Sequence, residues 1–227
     1  MSVYIIGDLH LSFSVDKPMH VFGEHWRNHP EKIKEDWLSK VREEDSVILA
    51  GDTSWGMRFD EADADMEWIA KLPGRKILLK GNHDYWWASL SKMRKRYPYF
   101  EFLYNNSIEI EGVYYVGTRG WAYSDADAPD SDDLRIFNRE VQRLKNSIAS
   151  APEGAKKICI LHYPPFNMNS RKTEMNRVIE EAGIDLVYFG HIHDNFDRIR
   201  RGLIDGVMYH MISADFVDFK LQRIDTN

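Results

Sequence analysis

The sequence predicts an α/β fold containing a mixed sheet. Three observations lead there. Short β-rich runs alternate with segments of helical periodicity, five of those runs end at a polar, chemistry-capable cluster, and other β-rich stretches follow one another through short connections. The chain has 227 residues, 43% hydrophobic and 29% charged, enough for one sizeable core, so a single domain over residues 1–227 is expected.

The first run is VYII, Val3 to Ile6, leading into Gly7-Asp8-Leu9-His10. Four apolar residues are too few for a signal-peptide core or a membrane span. Residues 11–30 follow, irregular but rich in Phe13, Met19, His20, Phe22, His25, Trp26 and His29. A long loop beside a strand end reads equally as a lid or binding wall and as a surface connection. Ile33, Trp37, Leu38 and Val41 then share a helical face, with Pro30 near the start, where a missing N–H is harmless. SVILA leads into Gly51-Asp52-Thr53-Ser54-Trp55, and KILL into Lys80-Gly81-Asn82-His83-Asp84.

FEFLY and IEIEGVYYVG read as β-structure with short connections, so part of the sheet is expected to be antiparallel. Residues 121–133 hold five aspartates and Pro129, the composition of an exposed loop. Phe137, Val141, Leu144 and Ile148 form a second helical stripe, preceded by Ser131, Asp132 and Asp133 as candidate caps and dipole partners. KICIL then leads into His162-Tyr163-Pro164-Pro165, and DLVYF into Gly190-His191-Ile192-His193. VMYHMI and FVDFKLQRI complete the β-rich set, with His210 expected as a core histidine. Cys159, the single cysteine, reads as a buried strand residue and excludes an intrachain disulfide. Together these features favour a cytoplasmic protein with no membrane association.

The formal charge of −6 argues against a broad phosphate-binding face. Lys92–Arg96 and Arg198–Arg201 are local basic clusters of the kind that usually lie on solvated faces, so nucleic acid is left open as a partner without being favoured. Nothing in the sequence identifies a protein partner.

In open α/β sheets ligands bind at the carboxyl ends of strands, so the five clusters can converge on one crevice. They supply Asp8, His10, Asp52, Asn82, His83, His162, His191 and His193, including five of the nine histidines. Asp8 and His10 are two residues apart, as are His191 and His193; in locally extended backbone each pair points to one side. Gly7, Gly51, Gly81 and Gly190 precede four of the clusters and permit unusual dihedrals or close approach. Imidazole, carboxylate and amide oxygen together suit manganese, iron, zinc or cobalt.

The ordered set Asp8-Leu9-His10, Gly51-Asp52, Gly81-Asn82-His83-Asp84, His162 and Gly190-His191-Ile192-His193 resembles that of the calcineurin-like metallophosphoesterases. Each element alone is weak, whereas five in order, each after a β-rich run, are specific. The resemblance implies a four-layer α/β/β/α sandwich with two mixed β-sheets, and two divalent metal ions, manganese first among them. It implies that Asp8, His10, Asp52 and His193 hold one ion, and that Asp52, Asn82, His162 and His191 hold the other. Asp52 then bridges, with the ions roughly 3.5–4 Å apart. It further implies hydrolysis of a phosphate monoester or diester by a metal-activated hydroxide, with Asp52 and His83 catalytic and His83 binding phosphate or acting as leaving-group acid.

Ser/Thr protein phosphatases of the superfamily carry G-D-x-x-D-R-G, and Trp55 stands where their second aspartate orients the catalytic imidazole. That departure argues against a protein phosphatase and leaves Asp84 as a candidate support for His83. A small phosphorylated substrate is expected, with Asn82, His83 and Arg119 as candidate binding groups; a surface salt bridge is the simpler reading of Arg119. Trp55, Trp86, Trp87 and Trp121 offer stacking surfaces or core packing. The alternatives to a small-molecule esterase are a nuclease of the superfamily, motivated by the basic clusters, and a scaffold that keeps the fold for protein binding. No ligand position is missing, which speaks against the scaffold.

Overall fold

The computed structural model describes residues 1–123 and 131–225. In chain order the elements are β1 (Val3–Ile6), α1 (His29–Lys40), β2 (Ser46–Ala50), α2 (Phe59–Ala70), β3 (Arg75–Leu79), α3 (Leu90–Arg96) and β4 (Phe100–Leu103), then β5 (Ile108–Ile110), β6 (Val113–Thr118), α4 (Ser131–Ala149), β7 (Lys157–Leu161), α5 (Glu174–Glu181), β8 (Leu186–Phe189), β9 (Gly202–Ile204), β10 (Val207–Met211) and β11 (Gln222–Arg223). This is the α/β class with two mixed sheets. The chain forms two compact units, Met1–Phe102 with Ile212–Asn227, and Leu103–Met211.

The first unit carries the sheet β11-β1-β2-β3-β4. Strands β1, β2 and β3 run parallel, with Ile5 opposite Ile48 and Ile48 opposite Ile77. Every residue of β2 is buried, as expected of a parallel strand covered on both faces. Short β11 pairs antiparallel with β1, Tyr4 opposite Arg223, and makes the sheet mixed. Trp37, Trp26, Leu49, Met66 and Trp86 belong to one apolar core, which Ala214, Phe219 and Leu221 from the C-terminal segment join.

The second unit carries the sheet β5-β6-β7-β8-β10-β9. Strands β6, β7, β8 and β10 are parallel, and β5 and β9 pair antiparallel at the two edges. The β5–β6 turn places Glu111 and Gly112 at φ 52° and 78°, the left-handed pair a tight hairpin requires. Gly117 in β6 lies so close to β7 that an added Cβ would stand 2.0 Å from the Ile160 carbonyl oxygen.

Several expectations need correction. Leu38 is 55% exposed, because it lies about 100° around α1 from buried Trp37 and falls off the apolar stripe. FVDFKLQRI is strand only at Gln222–Arg223; residues Asp218 and Phe219 have φ of 54° and 58°, which breaks the extended run. His210 sits on β10 but on the outward side of its alternation, exposed and stacked on Tyr188, while Val207, Tyr209 and Met211 face inward. Trp86 and Trp87 are core residues. The irregular stretch after β1 holds two short 3₁₀ turns, Met19–Phe22 and Glu24–Trp26, that bury Met19 and Trp26 and leave Val21 and Phe22 exposed. Of the acidic loop expected at 121–133, residues 124–130 lie outside the described residues; Asp132 and Asp133 fall in the first turn of α4, favourable for its dipole.

Candidate metal and catalytic site

In the first unit three loops leave the carboxyl ends of β1, β2 and β3, and backbone hydrogen bonds zip the first two together. The amide of Asp8 donates to the Gly51 carbonyl at 2.9 Å, that of His10 to the Asp52 carbonyl at 2.9 Å, and that of Trp55 to the Leu11 carbonyl at 2.8 Å. This lacing gives Asp8, His10 and Asp52 φ values of 60°, 47° and 50°, and His191 in the second unit is at 74°. The extended backbone expected at Asp8 and His10 is therefore not what presents them. A left-handed residue costs conformational energy and persists where its surroundings over-determine it, as they do in this laced loop.

Asp84 holds the laced loops to β3. Its buried carboxylate accepts from the amides of Asp52 (2.9 Å), Thr53 (2.9 Å) and Gly81 (2.7 Å), and from the Trp86 indole N–H at 3.0 Å. This anchoring role went unread in the sequence, where Asp84 was considered only as a support for His83. Gly81 is there for proximity, since a Cβ would stand 2.1 Å from Asp52 Oδ1. Asp65, buried on α2, ties the same loops from the other side by accepting from the Phe13 amide at 2.9 Å and from the Ser54 hydroxyl. Burial raises the Asp65 carboxyl pKa above its ordinary value.

The buried side chains here are of the kind a divalent cation takes. Asp8, His10 and Asp52 are 0–2% exposed, and His10 Nε2 lies 3.8 Å from Asp52 Oδ2. The amide of His83 donates to Asp52 Oδ1 at 2.7 Å, so the candidate nucleating carboxylate also positions the candidate catalytic residue. Asn82 and His83 are both partly exposed. Trp55 stacks on His10 at a ring separation of 4.8 Å and lies 4.4 Å from the His83 ring. It is thus a wall of the site, where protein phosphatases have a carboxylate.

In the second unit the donors leave β7 and β8. His162 is fully buried, and its carbonyl accepts from the Gly190 amide at 3.0 Å, which holds the two strand ends together. The His162 and His191 rings are 5.2 Å apart, and Tyr163 packs on His191 at 3.8 Å. His193, two residues on, is partly exposed. Arg119 Nη2 lies 3.4 Å from Oε1 of the fully buried Glu140, and its guanidinium lies over Trp121 at 4.9 Å. The simpler reading of Arg119 as a salt-bridge residue therefore has its partner, but the pair lies in the interior rather than on the surface, Glu140 being fully buried. Glu140 also accepts from the Thr118 hydroxyl at 2.6 Å and from Arg143 at 2.6 Å. Cys159 is buried and its thiol pKa is pushed up by desolvation, the profile of an inert packing residue. In the basic clusters, Arg96 pairs with Asp63 and Arg201 with Asp197, which reduces the charge either one offers to a polyanion.

A family model described as calcineurin-like phosphoesterase matches residues 1–195. Gene 66 protein of Mycobacterium phage L5 is 30% identical over 83 residues, 37% of this chain and 40% of that protein. Gene 66 protein of Mycobacterium phage D29 is 40% identical over 57 residues, 25% of this chain and 28% of that protein. The chain thus spans less than half the length of these curated relatives. Among solved structures, phosphopantetheinyl hydrolase from Mycobacterium tuberculosis is similar at a TM-score of 0.61 and 13% identity, covering 100% of this chain and 96% of that one. A protein of unknown function from Aquifex aeolicus is similar at a TM-score of 0.55 and 19% identity, over 98% and 95% of the two chains. At these identities the likeness is one of fold.

Proposed function

This chain belongs to the calcineurin-like phosphoesterase family, and we propose that it hydrolyses a small phosphate monoester or diester with the help of two divalent metal ions. As a family member it is a metal-dependent hydrolase of phosphoester bonds. The observation that carries the finer reading is placement: Asp8, His10, Asp52, Asn82, His162, His191 and His193 all lie on segments leaving the carboxyl ends of parallel strands. Asp8, His10 and His193, and Asp52, His162 and His191, are the donor sets that would hold the ions. Asn82 would join the second set, and the Asp52 carboxylate would supply negative charge to the bound cations. The mixture of imidazole and carboxylate fits manganese, with iron, zinc or cobalt as chemically adequate substitutes.

When bound, two such cations acidify a water and draw charge from the phosphate oxygens. The chain's own groups do the rest. Asn82 and His83, partly exposed beside the buried donors, face substrate, and the His83 N–H hydrogen-bonds a phosphate oxygen or donates its proton to the departing alkoxide. Its ring is held from below by Trp55 and its backbone by Asp52. Arg119, steadied by Glu140 and Trp121, retains donors with which to bind phosphate. The family match runs unbroken from the first unit into the second, as far as residue 195, which supports a single catalytic domain. Among the described residues no helix is long and apolar enough to cross a membrane. We place the protein in the cytoplasm, acting on a phosphorylated small molecule.

Asp52→Asn tests this reading. It removes the carboxylate charge while keeping the side chain's size, and the expected result is loss of bound metal and turnover at background. Full activity in the folded variant would overturn the two-metal reading.

A further inference from the structure

On the unit that carries His83 lies a cavity of about 280 Å³ lined by Lys17, Pro18, Val21, Phe22 and Trp55. Its walls are apolar apart from the Lys17 ammonium, which stands 4.8 Å over the Trp55 ring. Val21 and Phe22 are 68% and 65% exposed, so two adjacent apolar side chains are open to solvent beside this cavity. Trp55 forms one wall of the cavity and also packs on His83 and His10, and its indole N–H points to the Met19 sulfur at 3.2 Å, which fixes the ring. An occupant resting on Trp55 is therefore within one indole's breadth of His83.

We infer that this cavity is the leaving-group subsite, and that the substrate is a phosphate ester whose alcohol portion carries an apolar, ring-sized group. The inference rests on the proposed hydrolase reading and refines its substrate class. Size bounds the occupant: at about 280 Å³ the cavity lies at the small end of ligand pockets, which run from about 300 to 1,000 Å³, and it has room for a ring or its equivalent. Charge agrees, because Lys17 at the rim faces a substrate that is anionic at phosphorus and apolar beyond it. In hydrolysis the P–O bond to that alcohol breaks as water's oxygen bonds to phosphorus, and the alkoxide takes up a proton to leave as the free alcohol. Burial of its apolar group against Trp55 and Phe22 aligns that oxygen beside His83.

The test compares 2-phenylethyl phosphate with ethyl phosphate, and the corresponding methyl diesters, whose leaving alcohols have similar acidity and differ in the ring. The manganese-loaded full chain is expected to favour the phenylethyl ester by about tenfold or more in kcat/KM, from burial of one ring. In Phe22→Ser combined with Val21→Ser the ratio is expected to fall towards unity. Titration with 2-phenylethylphosphonate and ethylphosphonate, which are not hydrolysed, should show the same preference and the same loss. Chelator-sensitive turnover of both esters at equal kcat/KM would overturn the subsite while leaving the hydrolase reading standing. A preference that survives in the double variant would overturn it too. If neither ester were hydrolysed, the functional reading would fail and the subsite with it.

Discussion

Asp84 and Gly81 show how single residues hold this site. Asp84→Ala would strand four loop amides, of Asp52, Thr53, Ser54 and Gly81, and an indole N–H in the interior, at roughly 1–3 kcal/mol for each donor left unsatisfied. We expect a large drop in stability by urea unfolding and loss of activity; a variant as stable as the parent would show that the carboxylate is dispensable. Gly81→Ala puts a methyl group where Asp52 Oδ1 stands 2.1 Å away, so the loop must shift. The expectation is a loss of metal affinity larger than the loss of stability, read by comparing metal content with the unfolding midpoint. The residue types of the site were legible because carboxylate, amide and imidazole clusters after β-rich runs have few purely structural uses. Their backbone was not: positive φ at Asp8, His10 and Asp52 arises from hydrogen bonds between loops distant in sequence. Trp55 reads from the sequence as a departure from the phosphatase pattern and as a stacking or core-packing side chain, but the rings it meets, His10 and His83, required the fold.

Two elements carry testable stability terms. Helix α5 begins with Thr173, whose hydroxyl accepts from the Met175 amide, while Asn176 accepts from the Thr173 amide in a reciprocal cap. Thr173→Ala is expected to cost about 1 kcal/mol in urea unfolding, without change in metal content. His29, at the start of α1, is buried against Trp26 and Phe219, and burial pushes its imidazole pKa down. Its stability contribution is therefore fully present above the unfolded value of about 6.5 and is lost as pH falls through the lowered folded value. His29→Gln should narrow the difference in Tm between pH 7 and pH 5; an unchanged difference would show that another group sets the acid limb. Strands β1, β2, β3, β7 and β8 and helices α1 and α4 were legible, because hydrophobic period and length agree there. The final segment was not, since FVDF reads as strand by composition while Ala214, Phe219 and Leu221 reach the core through turns.

At the scale of the whole molecule, the first unit closes only when the C-terminal segment returns. The Gly7 amide donates to the Ile212 carbonyl at 2.9 Å, and β11 pairs with β1 beside the first ligand loop. Ending the chain before Ile212 removes Ile212, Phe219 and Leu221 from the interior, at roughly 1.5–3 kcal/mol each. Against a total stability of about 5–15 kcal/mol, the truncated chain is expected to lose cooperative unfolding and bound metal, although it retains the region the family model matches. The α/β class was legible from strand and helix alternation, and two sheets from the family resemblance. The division into two compact units was not, because the first is assembled from residues more than a hundred positions apart. The central claim is that phosphoester hydrolysis depends on metal held by these donors. It is tested most directly by stripping the protein with chelator and assaying p-nitrophenyl phosphate and bis-p-nitrophenyl phosphate before and after manganese is restored. The account predicts no turnover without metal and recovery on adding manganese to about two equivalents; turnover that persists in chelator, or none with any divalent metal, would contradict it.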